Sequence, residues 1–355
     1  MSVTLGNKRI GQGEPCFITF EAGPTHDGLD SALELVRQAG AAGADAIKFQ
    51  MIDADRLVAD RRQPFSYEVL LDRATGRRET IQEPLYDILK RRELKLEEWH
   101  QVKAAADAAG LAFLATVSFL EDLEFLTAVG AHSVKIASSD IDHLPLIRAA
   151  ARTGMNVQLD TGNATLGEVE TAVDAIVAEG NDNIIIHQCP SGYPARLPSI
   201  QLRMIQTLKQ MFPFPIAFSD HTPGWEMDIA AVALGADLLE KTITRDRCTR
   251  SVEHIFSLEG AEQKAFIQAI RDLETALGAP RRVFSPAESQ RRRAYRRSIF
   301  LAHARKAGER IEAGDLDFRR PGYGIPPTEL DRVVGMTVSY DRNAGDMLQW
   351  TDLQP

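Results

Sequence analysis

Cysteine is scarce in this chain: Cys16, Cys189 and Cys248 are the only three, far apart and without a Cys-x-x-Cys pair. That excludes a disulfide framework and reads as incidental thiols of a reducing compartment. Long apolar runs are also missing, and the N-terminus lacks a basic segment leading into an apolar core. The expectation is a cytoplasmic protein with no signal peptide and no membrane partner. Positive charge is in deficit, with 41 Lys and Arg against 50 Asp and Glu and a net charge of −9. A nucleic acid or anionic membrane as main partner is therefore not expected, since both select a basic face. A small anionic substrate needs only a locally basic pocket. No glycine-rich phosphate turn follows an early strand, which argues against a doubly wound dinucleotide fold. No Gly-x-Ser-x-Gly elbow surrounds Ser191 or Cys189, which argues against nucleophilic hydrolysis.

Core-forming residues are in ordinary supply, at 44% apolar, and they fall into short runs that end in polar residues. Phe17–Phe20 stops at Glu21, Ala46-Ile47 runs into Lys48 and Gln50, and Leu111–Ala115 ends at Thr116. Ser133-Val134 leads to Lys135 and Ser138, and Val157–Leu159 to Asp160. Ile184–Ile186 gives His187, Pro215–Phe218 meets Ser219 and His221, and Asp237–Leu239 meets Glu240 and Lys241. Eight strand-like runs with functional groups at their C-terminal ends predict a (β/α)8 barrel, whose parallel strands aim those ends at one rim.

Helical periodicity fills the intervals, at Ser31–Ala41, Leu96–Ala109, Leu120–Val129, Leu144–Arg152, Leu166–Ala178, Ser199–Met211, Glu226–Leu234 and Gly260–Leu277. The barrel is expected over 1–279. Met51–Glu93 reads as a charged, irregular insertion, either a substrate lid or a disordered flap. The arginine-dense segment 280–297 reads as a linker with one helical turn. Residues 298–355, with short strands and Gly/Pro turns, read as a small β-rich domain too short to stand alone comfortably.

Lys48 and Lys135, framed by the hydroxyls of Thr116, Ser138 and Ser219, suit a phosphate or carboxylate ligand through charge-assisted hydrogen bonds. Paired to neighbouring carboxylates, the same lysines would be purely structural. Glu21, Asp160, Glu240 and Glu253 offer general acid or base groups, metal oxygens or salt-bridge partners. His221 sits in the loop after the seventh strand, as a ligand or as a hydrogen-bonded structural group.

Five motifs resemble the sialic acid synthase family, which includes the N-acetylneuraminate, pseudaminate and legionaminate synthases and the related spore-coat polysaccharide synthases. They are Glu21-Ala22-Gly23-Pro24-Thr25-His26-Asp27-Gly28, Gly43-Ala44-Asp45-Ala46-Ile47-Lys48-Phe49-Gln50, Lys135-Ile136-Ala137-Ser138, Ser219-Asp220-His221-Thr222 and Glu253-His254-Ile255-Phe256-Ser257-Leu258. Arg319-Arg320-Pro321-Gly322-Tyr323-Gly324-Ile325-Pro326-Pro327 resembles that family's small antifreeze-like (SAF) domain. The resemblance implies condensation of phosphoenolpyruvate with an amino-sugar aldehyde resembling N-acetylmannosamine. The products are a nonulosonic acid and phosphate, for surface or spore-coat polysaccharide. It assigns phosphoenolpyruvate to Lys48, Thr116, Lys135, Ser138 and Ser219. The sugar falls to Gln50, Tyr193, Glu240 and Glu253, with Asp160 and Ser191 on the same side. It further implies a domain-swapped homodimer in which Arg320 enters a partner's site, and a divalent metal, Mn2+ or Mg2+, held by His221 and oriented by Glu21.

Three positions depart from the family pattern. Thr242 replaces the second metal-holding histidine, Asp160 stands where a serine is common, and Ser191-Gly192 where an asparagine-bearing turn is usual. Thr242 places the metal in question. Two alternatives follow: a metal-independent synthase using another sugar acceptor, or a non-catalytic sugar-phosphate binding relative.

Overall fold

The computed structural model describes Met1–Pro355 and divides into two compact units, Met1–Gly278 and Ala279–Pro355. The first unit opens with a hairpin, β1 (Ser2–Leu5) and β2 (Lys8–Gly11), followed by β3 (Phe17–Glu21) and β4 (Ala46–Gln50). Then come β5 (Pro64–Asp72), β6 (Arg77–Pro84), β7 (Ala112–Thr116), β8 (Ser133–Ile136), β9 (Asn156–Asp160), β10 (Ile184–Gln188), β11 (Ile216–Asp220), β12 (Leu238–Thr244) and the short β13 (Leu258–Glu259). Eight of these pair in parallel in the order β3-β4-β7-β8-β9-β10-β11-β12, and β12 returns to β3. The result is a closed (β/α)8 barrel followed by a small β-rich domain, the architecture predicted from the eight runs.

Side chains alternate across each strand, and the alternation sorts the core. Ile18, Phe20, Ile47, Phe49, Phe113, Val134, Leu159, Phe218 and Leu239 face outward into the main apolar cluster shared with the helices. Phe17, Ala46, Ala112, Leu114, Ile185, Ala217 and Leu238 face inward and pack on Val3, Leu5 and Ile10 of the β1–β2 hairpin, which stoppers the N-terminal end of the barrel. One pleat further on, the inward positions become Glu21, Lys48, Thr116, Lys135, Asp160, His187, Ser219 and Glu240. The sheet therefore sends oil to one end of its lumen and chemistry to the other.

The insertion is not an irregular flap. β5 and β6 form an antiparallel hairpin whose inner face, Tyr67, Val69 and Ile81, packs with Ile88 and Val252 in a cluster of its own. The turn at Asp72–Gly76 is closed by Asp72 Oδ1 accepting from Ala74 N at 2.8 Å, with Gly76 supplying a positive φ of 67°. The helix expected over Ser199–Met211 is broken into Leu197–Ile200 and Met204–Met211, because Gln201 adopts a left-handed φ of 48°.

In the second unit the segment expected as a linker carries a ten-residue helix, Pro286–Tyr295. Ser285 and Glu288 form its capping box. β14 (Ser298–Leu301) pairs with β15 (Leu316–Arg319), and β16 (Thr337–Val338) with β17 (Leu353–Gln354). Ile299, Leu301, Ile311, Ile325, Val333, Val338, Leu348 and Leu353 make its core. Arg320 is exposed, with its guanidinium carbon 5.3 Å from the centroid of the Tyr295 ring.

Candidate active site

The C-terminal rim of the barrel encloses a cavity of about 400 Å³ lined by Glu21, Lys48, Gln50, Thr116, Ser138, Asp160, Tyr193, His221, Glu240 and Glu253. Lys135 and Ser219 form the layer beneath. Lys135 is fully buried, and its Nζ lies 2.9 Å from both Asp160 Oδ1 and Glu240 Oε2, 3.0 Å from His187 Nδ1 and 3.4 Å from Ser219 Oγ. Lys48 pairs closely with Glu21, lies 3.3 Å from Glu240 Oε1 and donates to Thr116 Oγ1 at 3.3 Å. Glu240 thus spans the two lysines, one carboxylate oxygen to each.

The charges hold one another. Burial alone would lower Lys48, but Glu21, Glu240 and Asp160 together outweigh it and hold the ammonium well above its usual range. Burial pushes Glu240 upward, yet Lys135 and Lys48 pull it below the usual carboxylate range. Glu21 is the reverse case: burial raises it, and Lys48 compensates only in part.

His187 is the group that motif reading passed over. Its ring is fully buried; Nε2 donates to Gln158 Oε1 at 2.8 Å, and Gln158 Nε2 donates to Ser133 Oγ at 3.1 Å. That relay fixes the proton on Nε2 and leaves the Nδ1 lone pair to accept from Lys135. Burial, and then Lys135, lower its pKa well below the usual value, so the ring is neutral and adds no competing charge. Ser219 Oγ, 2.9 Å from that same nitrogen, donates to Asp160 Oδ1 at 3.1 Å.

Ser138 is placed by β8 and by Gly162, whose N–H donates to Ser138 Oγ at 3.1 Å. A Cβ at Gly162 would meet Cys189 O at 2.7 Å, so the close approach requires glycine. Ser191 does not line the mouth. It is exposed, donates to Gly162 O at 2.6 Å, and belongs to a neighbouring cavity with Gly162 and Cys189. Arg320 lies in the second unit. Arg92, from the end of the insertion, reaches the mouth without having been anticipated: it is 5% exposed in a stretch that reads as solvated charge.

Glu253 is held in the left-handed region, φ 73°, a strained setting for glutamate that the surrounding loop imposes. Burial pushes its carboxyl up to about 8, against a smaller opposing pull from Arg92. The unfolded chain ionises this group near 4.5, while the fold keeps it protonated to about 8, so stability is lost as pH rises through that window. Glu253→Gln removes the loss. Its melting temperature is expected to match wild type near pH 4 and exceed it by at least about 3 °C near pH 8, read by thermal unfolding at both.

His221 is neutral, its pKa lowered by burial. Nδ1 faces Pro190 O at 3.3 Å and the ring centroid lies 4.6 Å from that of Tyr193. A divalent ion needs several converging oxygen or nitrogen ligands. Beside His221 the second position is the threonine hydroxyl of Thr242, buried and directly opposite Glu21 in the register of β12 on β3. The only three acidic or histidine groups whose ligand atoms converge are Asp53, Asp55 and Glu93, in the insertion. Of these, Asp55 and Glu93 are already engaged by Lys90, and Asp55 also by Arg61. The donors at the mouth do not compose a resident metal site.

Residues 35–282 match the NeuB family, and residues 296–354 match the SAF domain. The N,N'-diacetyllegionaminic acid synthase of Legionella pneumophila is 34% identical over 98% of this chain and 98% of its own. The spore coat polysaccharide biosynthesis protein SpsE of Bacillus subtilis is 31% identical over 98% of this chain and 96% of its own. Among solved structures, the N-acetylneuraminic acid synthetase of Leptospira borgpetersenii superposes with a TM-score of 0.71 at 31% identity, covering 82% of this chain and 95% of that one.

Proposed function

This chain belongs to the NeuB family, and from that premise we propose that its barrel mouth condenses phosphoenolpyruvate with an amino-sugar aldehyde to give a nonulosonic acid and inorganic phosphate. The observation that carries the reading is Glu240 spanning Lys48 and Lys135, with Thr116, Ser138 and Ser219 around them. The two buried ammonium groups are paired with carboxylates that a doubly anionic ligand can displace. Asp160, seated on Lys135 and Ser219, holds the place of such a ligand in the free protein.

In the reaction, C3 of phosphoenolpyruvate attacks the aldehyde carbon and the aldehyde oxygen takes a proton. Water adds to the resulting C2 cation, and the tetrahedral adduct collapses with C–O cleavage, releasing phosphate. Lys48 and Lys135 hold the phosphate and carboxylate and meet the charge that grows on departure. Glu21, kept basic enough by burial, takes the proton of the attacking water. Neutral Glu253 donates to an acceptor oxygen, with Gln50 and Tyr193 completing that side. His221, neutral with Nδ1 turned to Pro190 O, leaves Nε2 to accept a hydrogen bond from a hydroxyl of the acceptor. The proposal includes a homodimer in which Arg320 of one copy enters the other's mouth.

Thr242 favours a variant of this reading in which no metal polarises the aldehyde. Phosphate release is to be screened over a panel of N-acetylated amino-sugar aldehydes, with Mn2+ and with a chelator. One aldehyde is expected to support turnover, unchanged by chelator to within about twofold, where losing a Lewis acid would cost orders of magnitude. Release with none of them would sink the synthase reading; release abolished by chelator would sink the metal-free one.

A further inference from the structure

Behind Arg92 lies a second cavity, of about 410 Å³, walled by Thr25–Asp27, by Arg91 and Arg92, and by the loop after β12 that carries Arg245, Arg250 and His254. Its charge is one-sided. Arg91 is engaged by Glu83 at 2.7 and 2.9 Å, and Asp246 by Arg73 at 2.5 Å. Arg92, Arg245 and Arg250 have no carboxylate within ion-pair distance, and the only other acid on the wall is Asp27.

Two buried groups on this wall are short of partners. The guanidinium of Arg92 has a single side-chain hydrogen bond, a long one of 3.5 Å to Ser251 Oγ. His26 is 3% exposed and neither ring nitrogen has a partner, although Phe49 and Trp99 hold the ring edge-on at 5.7 and 6.5 Å. Buried polar groups are almost always satisfied, and those that are not mark a place where something else completes them. The hydroxyls of Thr249 and Ser251 add donors on the same wall.

We propose that this cavity is a second oxyanion site, separate from the two-lysine site, which takes a phosphate group through the guanidinium forks of Arg92, Arg245 and Arg250 and the ring of His26. Guanidinium presents paired N–H donors that match phosphate geometry, and a wall carrying three of them against one carboxylate selects a dianion over a neutral sugar. Arg92 alone belongs to both cavities, so the site abuts the acceptor side of the mouth. The same chemistry serves a phosphate carried on the acceptor's far end or the free ion.

Arg245 and Arg250 are exposed and lie outside the catalytic mouth, so Arg245→Gln/Arg250→Gln leaves the fold and basal turnover intact. Calorimetric titration of the full chain with inorganic phosphate, at saturating phosphoenolpyruvate and without acceptor, is expected to show one phosphate per chain. The double variant is expected to weaken it at least roughly tenfold. A matching rise in KM for an N-acetylhexosamine 6-phosphate, with the unphosphorylated sugar unaffected, assigns the site to the acceptor's phosphate. Loss of phosphate binding with both KM values unmoved assigns it to the free ion. Absence of phosphate binding in the wild type, or equal affinity in the variant, overturns the site; neither result bears on the two-lysine reading.

Discussion

Lys135→Ala is expected to lower kcat/KM for phosphoenolpyruvate by about 10²–10³-fold, the range seen when one preorganised donor to a developing oxyanion is lost. What matters is where Lys135 sits rather than its being a lysine. Its ammonium is wholly enclosed and touches Asp160, Glu240, His187 and Ser219, so no neighbouring cation or water can substitute for it. Removing it also leaves Glu240 and Asp160 short of a counter-charge, which destabilises the fold as well. A thermal shift separates the two effects. Phosphoenolpyruvate at about 100 times its Kd stabilises a competent protein by about 2.7 kcal/mol, and this increment is expected to vanish in the variant whatever its ligand-free melting temperature. A variant that keeps both the increment and wild-type phosphate release would remove Lys135 from the site.

The largest effect on stability is expected one residue past Glu240, on the other face of β12. Lys241 is fully buried between the barrel and the helix Glu226–Ala233. It pairs closely with Asp220, lies 3.2 Å from Asp228 and donates to Thr222 O at 2.8 Å. One cation stands between two carboxylates. Burial, and then the charge of Asp220, push Asp228 well above its usual range, so of the two carboxyls Asp228 is the one that holds a proton more readily. Lys241→Ala leaves Asp220 buried without a partner, a change worth about 3–5 kcal/mol and, for a unit of this size, a fall of roughly 10 °C in melting temperature. Asp228→Asn is expected to cost far less, because it replaces the carboxyl whose charge burial already disfavours. Equal melting temperatures for the two variants would refute this division of charge.

These two lysines show how far the sequence could be read. The eight runs and their polar ends are legible because barrel strands are buried on both faces, so a polar residue at a strand end stands out against the apolar run before it. Glu240 and Lys241 look alike in that light. Only the two-residue pleat separates them, sending one to the chemistry and the other to the scaffold. His187 stood at its strand end without a role for the same reason: three isoleucines before it erase the period that would have shown it pointing inward. Arg91 and Arg92 are neighbours in a charged stretch, and what distinguishes them is long-range. Glu83 captures the first, while the second is buried at the edge of the mouth, near Glu253. The hairpin of the insertion was obscured because only Tyr67, Val69 and Ile81 of its seventeen paired-strand positions are fully buried. The break at Gln201 carries no glycine or proline to announce it. The fold and the convergence of lysines and hydroxyls on one rim were readable locally; the partners that tune them depend on contacts between distant loops.

The hairpin that seals the base of the barrel sets the traffic of the whole molecule. With Val3, Leu5 and Ile10 packed on the lowest inward layer, the lumen is a cul-de-sac with a single doorway. On the proposed reading, phosphate must leave by the same doorway through which the next aldehyde enters.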